Sequence, residues 1–86
     1  MPANVYDHPG YLGFEIQTVS YFDLMPWGWR ASIMIRKSGG SRYAVFPCHG
    51  SFDSEILAMT AGAAFAQATI NGYRNSGRGL LSVLDT

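Results

Sequence analysis

The chain carries little that could cross-link it or charge it. Cys48 is the single cysteine among 86 residues, which excludes an intramolecular disulfide and points to a reducing compartment. Six basic and six acidic residues cancel, so no long-range field recruits nucleic acid or anionic lipid. No apolar run approaches the roughly 18 residues of a membrane span. The opening MPANVYDHPG lacks the basic-then-apolar order of a signal peptide. The expectation is a cytoplasmic protein. The chemistry-bearing side chains are also sparse. Asp7, His8, Asp23, Cys48, His49 and Asp53 are scattered without the spacing of a metal site, phosphate loop or serine elbow. Neither an enzyme nor a cofactor is expected.

What the chain does have is apolar and aromatic. Aromatic residues make up 14% and charged residues no more than that, a balance that favours a packed core over disorder. One domain over 1–86 is expected, burying only about 60–65% of its unfolded surface. Residues 1–10, with two prolines and a glycine, read as an irregular lead-in. From Tyr11 to Tyr21, Leu12, Phe14 and Ile16 alternate with Gly13, Glu15 and Gln17, the period of a half-buried strand. DLMPWG (23–28) reads as a loop. Alternation resumes from Trp29 to Lys37, and SGGS (38–41) supplies glycines for a hairpin turn before a returning strand, Arg42–Cys48.

The register of that hairpin follows from its pattern. With an even turn centred on Gly39 and Gly40, Ile35 faces Ala44, Ile33 faces Phe46 and Ala31 faces Cys48, all six on one apolar side. An odd turn would bury Arg36. Cys48 then points into the core while its neighbour His49 points away. Cys48 therefore reads as a small core residue rather than half of a reactive pair.

After Gly50 the period changes. Ser51, Asp53 and Ser54 suit a helix start, with Asp53 and Glu55 at the positive end of the dipole. An alanine-rich helix runs to about Asn75, where Gly77 and Gly79 break it. Leu57, Ala61, Ala64, Phe65 and Ala68 form one apolar stripe, expected to lie on the sheet. Ile56, Met59, Ala63, Ala66 and Ile70 form a second, nearly opposite stripe. A helix on an open sheet needs one apolar side only, so the second is expected to bind a partner; Trp27, in the 23–28 loop, is expected to be either a partner contact or buried. The partner is a second copy or another protein. The tail 76–86, with its LLSVL, is the other available cover.

The order strand, strand, glycine hairpin, strand, helix resembles two families. YLGFEI (11–16), WRASIMI (29–35) and FDSEILAMTAG (52–62) are similar to motifs of small βββα domains of unknown function found in proteobacteria, chiefly relatives of Burkholderia. The resemblance covers about residues 11–73. It implies an α+β fold, a three-stranded antiparallel sheet with one long C-terminal helix over a core of 11–75, and its motifs mark fold rather than chemistry, with no activity to carry over. The acid-rich stretch usual after the helix cap is here Ile56-Leu57-Ala58. The architecture is also similar to the arm-binding domains of phage-type integrases, which lay a three-stranded sheet in the DNA major groove. That likeness implies Arg30, Arg36, Arg42 and Tyr43 as nucleic-acid contacts. The expected function is thus a non-catalytic interaction module, with nucleic-acid binding by the hairpin as the alternative.

Overall fold

The alternating stretches form an antiparallel sheet in the computed structural model, which describes residues 3–25 and 27–85. Its strands β1 (Asn4–Tyr11), β2 (Phe14–Leu24), β3 (Trp27–Lys37) and β4 (Ala44–Pro47) lie side by side in sequence order. One long helix, α1 (Glu55–Ser76), and a short 3-10 helix, Leu80–Asp85, follow. The class is α+β with one long helix, as expected. The sheet has four strands, not three.

The additional strand comes from the expected lead-in, of which residues 1 and 2 lie outside the described residues. Asn4 to His8 pair with Ser20 to Ile16. The reason it escapes a search for alternating hydrophobicity is that Asn4, Tyr6 and His8, facing the helix side, are polar. Pro9 falls where the register shifts between His8 and Tyr11, a position an edge strand tolerates because no ladder bond is lost. Leu12 and Gly13 close the β1–β2 hairpin with φ of 51° and 87°, the positive values that a two-residue hairpin needs at both positions. Of the expected loop at 23–28, Asp23, Leu24, Trp27 and Gly28 are strand, because the β2–β3 ladder continues out to Leu24 opposite Trp27; Pro26 lies outside the described residues.

The β3–β4 register is the one the hydrophobic pattern selects. Ile35 pairs with Ala44 and Ile33 with Phe46, and the Cys48 N–H donates to the Ala31 carbonyl at 2.9 Å. The connection is looser than a two-residue turn. Gly40 N–H closes a turn onto the Lys37 carbonyl at 2.8 Å, and pairing resumes only at Ala44. Cys48 is buried in the core with Phe14, Ile16, Ala31, Ile33, Ile35 and Ala44.

Ser54 caps α1, its hydroxyl accepting from Leu57 N–H at 3.2 Å, and Gly77 ends it in the left-handed region at φ 68°. The helix is turned relative to the expected face. Ala58, Gly62, Ala66 and Ile70 are buried, while Leu57, Ala64 and Ala68 are exposed and Phe65 packs at the flank. Close approach decides this. A Cβ on Gly62 would lie 3.1 Å from Thr18 Cγ2 and 3.5 Å from Ile33 Cγ2, so the helix backbone rests directly on β2 and β3. Burying the smallest stripe lets the two layers touch without voids. Leu81 of the 3-10 helix fills the remaining gap between α1 and β4, and Leu84 packs beside it.

Candidate interaction surfaces

The expected partner stripe on the helix is divided by this rotation. Ala66 and Ile70, expected to touch a partner, are fully buried in the core instead, because the helix lays this stripe on the sheet; Met59 and Ala63 are half-buried at the flank. Ile56 remains 70% exposed on the first turn, and Trp27 is 61% exposed.

Trp27 belongs to a feature that composition alone does not reveal. The helix starts over Ser20, whose hydroxyl donates to Glu55 at 2.9 Å. Beyond that point β2 and β3 continue for four paired positions, about 13 Å at 3.3 Å per residue. Phe22, Leu24, Trp27 and Trp29 line the helix-side face of this overhang, where no helix lies over them. The Phe22 ring stands edge-on to Trp27 at 5.1 Å and to Trp29 at 5.5 Å. Phe52 exchanges two backbone hydrogen bonds with Trp29, both 2.8 Å. Gly28, at φ 143°, lets Ser51 approach to where a Cβ would be only 2.8 Å from its own Cβ. The result is a braced aromatic ledge with Met25 at its tip, 87% exposed. Period-two counting from Trp29 could have placed Trp27 on this face had 23–28 been read as strand. Beside the ledge, Cys48, His49, Phe52, Ala61 and Phe65 line an open apolar groove of about 270 Å³. Burial pushes the Cys48 thiol pKa up, so the thiol stays protonated and is a weak nucleophile.

A polar seam joins β1 to the helix start. The Glu55 carboxylate accepts from Tyr6 Oη at 2.7 Å, Asn4 Nδ2 at 2.7 Å and Ser20 Oγ at 2.9 Å. His8 Nε2 meets Thr18 Oγ1 at 2.8 Å. The Glu55 carboxyl is held below the usual value, first by the Tyr6 hydroxyl and then by Asn4 and Ser20. Arg36 lowers Glu15 likewise. A carboxyl depressed by folding contributes stability that is present above its unfolded pKa and lost as pH falls through the folded one. The chain should therefore weaken below about pH 4. In thermal melts across pH, Glu55→Gln should flatten that decline; an unchanged acid slope would show that the seam does not hold β1.

The sheet's opposite face is open across all four strands. Its rows read Tyr21–Arg30, then Val5–Val19–Ser32–Pro47, then Asp7–Gln17–Met34–Val45, then Glu15–Arg36. Val5 and Val45 are 59% and 58% exposed. The two arginines expected to touch nucleic acid here are engaged with acids. Arg36 donates to Glu15 at 2.7 Å and stacks over Tyr43 at 4.9 Å, and Arg30 lies 3.6 Å from Asp23. Arg42 sits on the β3–β4 connection, bordering a small cleft with Lys37 and Leu84.

No protein-family model, curated protein or solved structure matches the chain. Among the described residues no three His, Cys, Asp or Glu side chains converge as metal ligands, and no helix is long and apolar enough to cross a membrane.

Proposed function

We propose that this chain is a small non-catalytic interaction module that docks a protein partner on the aromatic ledge. The observation that carries this reading is the overhang itself. A paired, braced hairpin holds Phe22, Leu24, Met25 and Trp27 beyond the end of the helix that covers the rest of the sheet. Pre-ordered tryptophan surface is the type of anchor on which binding energy concentrates, since little side-chain entropy is lost on contact. The first helical turn, with Ile56 and Leu57 exposed, forms the neighbouring wall. The apolar character is one-sided: the reverse of the overhang carries Tyr21, Asp23 and Arg30, the last two paired. A lipid-inserting tip is better served by apolar residues all round, so a protein surface laid across one side fits better. Nucleic acid on Arg30, Arg36, Arg42 and Tyr43 has weaker support, because Asp23 and Glu15 already offset two of the arginines.

A photo-reactive benzoylphenylalanine in place of Met25, irradiated in the native cells, should give adducts of discrete protein mass. Those adducts should disappear when Trp27→Glu is added. Adducts indifferent to Trp27→Glu, or only a diffuse background, would count against the ledge.

A further inference from the structure

The open face of the sheet is a separate surface from the ledge, and its pattern selects an occupant. We propose that it is an interface between two copies of this chain, packed sheet to sheet about a twofold axis that runs parallel to the strands.

The composition of the face resembles an interface rather than a solvated sheet. Val5, Val19, Met34, Val45 and Pro47 occupy most of its middle two rows, with Ser32, Gln17 and, at the β1 edge, Asp7 beside them; the other charges lie at the ends as pairs, Arg30 with Asp23 and Arg36 with Glu15. An apolar centre with a polar rim is how protein interfaces are built. Its size also suits one. Two rows across four strands and three rows across β2 and β3 alone, at about 4.8 Å between strands and about 6.8 Å between rows, give roughly 450 Å² in projection. That is the order of the about 800 Å² of accessible surface per partner in a standard complex, side-chain relief adding to the flat projection.

Charge then fixes the orientation. Sheets pack face to face about 10 Å apart with strands within about 30°, and a twofold between them can lie along the strands or across them. Across the strands, each strand covers its own copy end for end, and Arg30 comes over Arg36 of the second copy. Along the strands, rows stay level and β2 covers the second β3. Arg36 then lies over the second Glu15, Arg30 over the second Tyr21, Val5 over Pro47 and Gln17 over Met34. Every arginine meets an acid or an aromatic ring, and the twofold repeats each contact. Asp7, at the β1 edge of its row, comes over the second Val45 at the rim, where Gln17 Nε2 donates to it at 2.6 Å. Like charges in the crossed arrangement disfavour it by the same rule.

The test is a charge exchange between copies, read by sedimentation equilibrium at high micromolar concentration. Arg36→Glu alone and Glu15→Arg alone each place like charges across the axis, and each should weaken dimerisation at least about tenfold. An equimolar mixture of the two should re-form a dimer of about twice 9.4 kDa, because opposite charges again face each other. The double variant Glu15→Arg/Arg36→Glu restores the pair within one chain and should dimerise by itself, which covers the event that a single variant folds poorly. Single variants that remain dimeric, or a mixture and a double variant that both stay at 9.4 kDa, overturn the proposal. Either outcome leaves the ledge reading intact, since Met25 adducts to a different protein do not depend on this face.

Discussion

Leu81→Ala should lower stability by about 2–5 kcal/mol, the range for truncating a fully buried leucine. Leu81 is 0% exposed, seated among core residues although it follows the long helix and its glycine stop. A domain of this length is stable by only about 4–13 kcal/mol in total, so the loss is a large fraction. The melting temperature should fall by about 10 °C or more, at roughly 4–8 °C per kcal/mol for a domain this size. The mechanism is specific. The 3-10 helix fills the gap between α1 and β4, and truncating Leu81 opens a void that neither layer can close. A loss below about 1 kcal/mol in urea melts would mean that the tail is dispensable and the gap is closed by other groups.

Gly62→Val should cost about 2–3 kcal/mol, by overpacking rather than by a void. Its Cβ would meet Thr18 Cγ2 at 3.1 Å, Ile33 Cγ2 at 3.5 Å and Ala31 Cβ at 3.6 Å, so α1 must lift from the sheet. Gly62→Ala sets two effects against each other: about 1 kcal/mol of helix propensity gained and the squeeze against Thr18. Thr18→Ser removes the methyl while keeping a hydroxyl for His8. On that background Gly62→Ala should stabilise, and on the native background it should not. Additive behaviour in this cycle would show that Gly62 and Thr18 do not touch.

These two residues also show where the sequence is legible and where it is not. The β3–β4 register could be read because an even turn puts Ile33, Ile35, Ala44 and Phe46 on one face, whereas slipping by one residue would bury Arg36. The helix limits were legible from Ser54 and Gly77. The helix face was not. Two apolar stripes have similar hydrophobicity, and the choice between them rests on how closely a backbone can approach, which Gly62 settles only once Thr18 is known to lie beneath it. Strand β1 was hidden because its inner face is polar, and the polar groups that satisfy it, Glu55, Ser20 and Thr18, are remote in sequence. The ledge was hidden by the same kind of nonlocality. Trp27 is exposed because α1 starts over Ser20, four residues short of the hairpin's end. As for the nucleic-acid contacts suggested by resemblance, Arg30 and Arg36 do share a face, but so do the acids that engage them.

The fold leaves the outer face of the sheet bare, with Val5 and Val45 59% and 58% exposed, and the proposed twofold contact would cover it. Sedimentation equilibrium of the unmodified chain over a concentration series tests this most directly. The expected result is a reversible shift from 9.4 kDa toward twice that mass as concentration rises into the high micromolar range, abolished by Met34→Glu at the centre of the face. A mass that stays at 9.4 kDa throughout, with Val5 and Val45 still open to solvent, would contradict it.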